Sequence, residues 1–142
     1  MATEVTTQTP ASERVDLLRR SLQVDGLLCV ASGVALVIAA EPVARFMGVS
    51  APVVMASGVV GLLYGLRIFQ VLRRDRPISG IGRTAVALNA GTALFAAALA
   101  ITGWPSLTPE GRWAMAALAE FGVLLGVVQY LGLRRAKQGG QL

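Results

Sequence analysis

The chain has 142 residues, 54% of them apolar and only 15% charged, with a mean hydropathy of +0.63. Soluble domains are ordinarily about 45–50% apolar and about 25% charged, so disorder is excluded and a water-exposed globule is disfavoured. Histidine is absent, Cys29 is the single cysteine and the net charge is +5. His-based metal sites, His-dependent acid–base or nucleophilic catalysis and internal disulfides therefore fall away.

Residues 1–20 form a polar tail that mixes acids with Arg14, Arg19 and Arg20, unlike a cleaved signal peptide. A helix can start early at Thr9-Pro10, with Val15, Leu18 and Leu22 along one side. The first apolar block, 21–40, holds one charge, Asp25. Glu41-Pro42 is expected to stop it, and PVARFMG reads as a short interfacial turn of helix ended by Gly48. Ser50, as N-cap, and Pro52 open a second block, 53–72, whose one charge is Arg67. An arginine-rich loop, Arg73 to Pro77, leads to a third block, 82–103, charged only at Arg83. Trp104-Pro105 closes it, and Thr108-Pro109-Glu110 supplies a cap, an early proline and a first-turn acid for the fourth block, 113–133. That block carries Glu120, and residues 134–142 are a basic tail.

About 20 apolar residues cross a bilayer core as a helix, and each block meets that length. The fold expected is all-α: a four-helix transmembrane bundle with short loops and both termini on one side. Ten of the thirteen Arg and Lys residues fall in the two tails and the middle loop with its edges. Arg45 and Arg112 alone fall in the other two loops. The positive-inside rule then places both termini in the cytoplasm, and Ala-, Gly- and Arg-rich usage points to a bacterial cytoplasmic membrane. Trp104 and Trp113 flank an outer loop as interface anchors. The basic pI is explained by topology, and no nucleic acid is called for; the expected partner common to every reading is the lipid bilayer.

Helices in lipid approach through small residues. Four-residue spacing marks Ser57, Gly61 and Gly65 in the second span and Gly122 and Gly126 in the fourth, the latter with Ala119 and Gln129 beside them. Ala85, Asn89, Ala93 and Ala97 form a stripe in the third span, and Ala31, Ala35 and Ala39 one in the first. These stripes serve intrachain packing or a homo-oligomer. Polar residues inside spans mark functional sites or structural pairs. Counted in from the cytoplasmic arginines at 1.5 Å per residue, Asp25, Arg67, Asn89 and Gln129 all lie about 7–9 Å deep. They predict a polar layer in which Asp25 and Arg67 pair, the alternative being an Arg67 that snorkels to the interface. Glu120 lies about 10 Å from the outer side, roughly 160–200° around the helix from Gly122. It is read as a buried carboxylate, either hydrogen-bonded to a neighbouring helix or set to carry protons or a cation.

The order of a span, a short PxxxxxxG segment (Pro42 to Gly48), a span ending GLRIF (Gly65 to Phe69), an arginine loop and a closing LGLRR (Leu131 to Arg135) resembles small bacterial four-span membrane proteins of the DoxX-like or uncharacterised type. The resemblance covers residues 15–135 and implies a fold without a reaction, cofactor or site residue. The functional expectation is a non-enzymatic accessory or assembly subunit packed against a membrane-protein partner. The alternative is a small transporter or channel using Glu120 and the polar layer. No cofactor is expected.

Overall fold

The computed structural model describes residues 10–74, 78–102 and 106–138, with side chains from Leu17 to Arg135 within those stretches. Trp104 and the loop residues Asp75, Arg76 and Pro77 lie outside them. The described chain is all-α: α1 (Pro10–Ile38), α2 (Ala40–Met47), α3 (Ala51–Arg73), α4 (Ser79–Thr102) and α5 (Pro109–Gln138). Of these, α1, α3, α4 and α5 are long and apolar enough to cross a membrane. Their outward positions are strongly apolar, among them Ile38, Leu94 and Ile101. Such a surface suits hydrocarbon rather than water, as in a multi-pass membrane protein.

The helices form two antiparallel pairs, α1 with α3 and α4 with α5, set side by side mainly through α1 and α5. Backbones within the first pair approach through glycine. A methyl group on Gly58 would sit 2.9 Å from the Gly33 carbonyl oxygen, and one on Gly65 would sit 2.7 Å from that of Gly26. Gly65 keeps its place in the expected stripe, but Ser57 does not. Ser57 is exposed and donates its hydroxyl to its own helix at Val53 O, 2.9 Å away, and Gly58 takes the buried position. Gly61 sits at the edge, where an added methyl would find ordinary contact at 3.6 Å. The alanine stripe expected in the first span is also displaced, since Ala31 and Ala35 are exposed and Leu18, Leu22, Gly26 and Gly33 face inward.

The second pair follows its expected stripe closely. Ala85, Ala93 and Ala96 of α4 are buried, as are Ala119, Gly122 and Gln129 of α5. A methyl on Gly122 would come within 3.2 Å of the Ala93 side chain, and one on Gly126 within 3.7 Å of that of Asn89. Leu18, Leu22, Ile68, Leu72, Ala85 and Leu133 then gather all four long helices into one apolar cluster. Leu18 packs on Gly132 there, so the start of α1 and the end of α5 lie at the same end of the bundle.

The opposite end is closed by α2. Pro42 acts one turn upstream of the expected stop. It would clash with the carbonyl four residues back, on Ile38, and α1 ends there. Pro42 itself sits in the first turn of α2, where its missing N–H is no loss. Ala40 and Ala44 face in against Val54, while Glu41 and Arg45 face out as an exposed pair 3.7 Å apart. Gly48 ends α2 with φ of 74° and its N–H on Ala44 O, a conformation that glycine adopts without strain. Thr108 caps α5 through Gly111 N–H (3.0 Å), donates its hydroxyl to Phe46 O and sends its own N–H to Met47 O (3.2 Å). Ser50 holds the N-cap position of α3 without a side-chain bond.

Candidate functional site

Asp25 stands one residue before Gly26 on the inward face of α1 and is only 2% exposed. The glycine contact with α3 leaves this part of α1 turned toward α4 and α5 as well. Gln129 of α5, fully buried, donates Nε2 to Asp25 Oδ2 at 2.8 Å. Asn89 of α4 donates Nδ2 to Gln129 Oε1 at 2.9 Å and, more weakly, to the same Asp25 oxygen at 3.4 Å. The three side chains thus bind the α1/α3 pair to the α4/α5 pair. Among the described residues, the other carboxylate oxygen receives only the Cys29 thiol, at 3.8 Å.

The remaining long helix, α3, contributes Tyr64. Its hydroxyl is buried without a hydrogen-bond partner, and it precedes Gly65, which packs on Gly26 of α1, next to Asp25 in the chain. Sequence reasoning missed it, although Tyr64, Ile68 and Leu72 recur at four-residue spacing along the face of α3 that enters the apolar cluster. Arg67 was expected in that role and does not fill it. At about 100° per residue it lies some 180–200° from Gly58 and Gly65, so it is exposed and donates to Gln70 Oε1 at 3.4 Å. The Asp25–Arg67 ion pair is therefore not formed. The exposed Glu41–Arg45 pair is the ion pair found among the described residues.

Glu120 also departs from expectation. It is exposed on the outside of α5, two residues from buried Gly122, and is not inside the bundle. Its angular offset from the glycine face had that consequence already. Trp113 is exposed near the start of the same helix, 79% accessible, as an anchor reaching into an interface would be.

Chemically, the interior site is a carboxylate held by uncharged donors. Hydrogen bonds to an ionised acceptor are about twice as strong as neutral ones, but they do not cancel a buried charge. Polar residues placed this deep are costly, and by default they mark function or a structural lock between helices. Comparison of the chain with protein-family models, with curated proteins and with solved structures finds no match.

Proposed function

We propose that the chain is a multi-pass subunit of a bacterial cytoplasmic membrane, with both termini in the cytoplasm, that works without catalysis as an accessory or assembly partner in a larger membrane complex. The observation that supports this most is Glu120. It is an acidic side chain on the outer surface of α5, about 10 Å below the nearer interface, exposed among Ala117, Leu124 and Val127. An acidic group facing lipid at that depth is unfavourable, and a partner helix offering a donor or a cation relieves it. The DoxX-like architecture belongs to this proposal as a likeness of fold only.

A photo-crosslinking residue at Ala117 or Leu124, introduced in native membranes, tests it. One discrete protein adduct that disappears in the Glu120→Leu background is the expected result. Lipid adducts alone would remove the assembly reading. A purified chain that carries proton-coupled flux by itself would put a transporter in its place.

A further inference from the structure

Asp25 is 2% exposed, yet no basic side chain comes near enough to balance it among the described residues. The arginines at hand are engaged elsewhere. Arg19, on the same helix, donates to Leu72 O at 3.0 Å, and Arg67 turns out to Gln70. Buried charges in proteins are paired or coordinate an ion. Each remaining long helix sets one oxygen-bearing side chain at the level of this carboxylate: the Asn89 and Gln129 amides bonded to it, and Tyr64, whose neighbour Gly65 packs on Gly26. We propose that Asp25, Tyr64, Asn89 and Gln129 form a binding site for a small alkali-metal cation of sodium's class.

The chemistry selects that class. Oxygen ligands suit hard cations, whereas transition metals favour nitrogen and sulfur. Calcium takes about six to eight oxygens, several of them carboxylate, and a single carboxylate would leave one positive charge of a divalent ion uncancelled in the interior. A monovalent ion brings the site to neutrality. Gln129 now turns its N–H toward Asp25, and Asn89 turns its own toward Asp25 and the Gln129 oxygen. A half-turn about the terminal torsion of each presents Asn89 Oδ1 and Gln129 Oε1 instead, with no movement of backbone. The Tyr64 hydroxyl, which has no other partner, supplies a further oxygen. This inference rests on the interior cluster and is independent of the assembly reading, which rests on Glu120.

The experiment is thermal unfolding of the purified full chain in detergent, titrated with sodium chloride against choline chloride at constant ionic strength and pH, with equilibrium binding of radioactive sodium alongside. Ligand binding to the native state raises the midpoint saturably. Wild type should gain a few degrees in sodium over choline and bind one sodium ion per chain. Asp25→Asn should lose both effects, and Glu120→Gln should retain both. If Asp25→Asn does not fold, Tyr64→Phe decides: it removes one ligand oxygen and should weaken sodium binding at least several-fold while the chain stays folded. A wild-type midpoint equal in sodium and choline would overturn the site, even if that midpoint moved with pH. So would sodium binding left unchanged by Tyr64→Phe and, where it folds, by Asp25→Asn.

Discussion

Gln129 is fully buried and uses both ends of its amide, donating to Asp25 at 2.8 Å and accepting from Asn89 at 2.9 Å. Replacement by leucine keeps much of the volume and removes both bonds. Each polar group left buried and unpaired costs about 1–3 kcal/mol. Gln129→Leu should therefore destabilise the chain by about 2–4 kcal/mol in detergent unfolding. A double-mutant cycle with Asp25→Asn should show a coupling of about 0.5–3 kcal/mol. Arg67→Gln combined with Asp25→Asn should instead be additive to within about 0.5 kcal/mol, because the two do not meet. Strong coupling between 25 and 67 would show that the ion pair forms after all. The reason one partner of Asp25 was misassigned is geometric. Depth follows from counting residues along a helix, and that count placed Asp25, Asn89 and Gln129 at one level. Facing depends on angle, and Arg67, about 60° around the helix from Tyr64, lies past the edge of the inward face and is exposed.

At the scale of the helix, the α1/α3 seam is built on glycines seven apart, Gly26 and Gly33 against Gly65 and Gly58. Seven residues advance a straight helix to within about 20° of the same face. A stripe read at four-residue spacing drifts about 40° at each step; Ser57, two steps from Gly65, has turned out of the seam, and Gly58 takes its place. The existence of the helices, the end of α2 at Gly48 and the α5 cap were legible because each rests on local chemistry: apolar length, a left-handed glycine, a threonine before proline. Choosing between two small-residue stripes needs the partner helix, and one sequence does not hold that information. The α4/α5 seam was legible because small residues there crowd one side of both helices. Gly65→Ala and Gly58→Ala should each cost about 1–3 kcal/mol, as overpacking does. Gly61→Ala, with its methyl 3.6 Å from the nearest atom, should stay within about 0.5 kcal/mol of wild type. Thermal unfolding of the three variants in one detergent makes the comparison. Equal costs at 58, 61 and 65 would mean that the seam is not where these contacts place it.

For the whole molecule, the two ends of the bundle differ in charge and in closure. The start of α1 and the end of α5 lie at one end, where Leu18 packs on Gly132 and Arg19 ties α1 to the last turn of α3. At the other end α2 is fastened to the start of α5 by Thr108, and the basic side chains there are Arg45 and Arg112. Arginine and lysine near span ends resist translocation, and an imbalance of ten to two over short connections is far from neutral. The end holding Leu18 and Gly132 should therefore face the cytoplasm in every copy, without a mixed population. With Cys29 replaced by alanine, a cysteine at Ser106 should react with an impermeant thiol reagent added to intact cells. A cysteine at Arg74 should react only after the membrane is opened. Arg74 belongs to the charge bias, so Ser79, at the start of α4 and outside it, serves as a second reporter and should behave as position 74 does. Labelling of 74 and 79 from outside would invert the molecule, and partial labelling at both ends would mean that the charge bias is too weak to set one orientation.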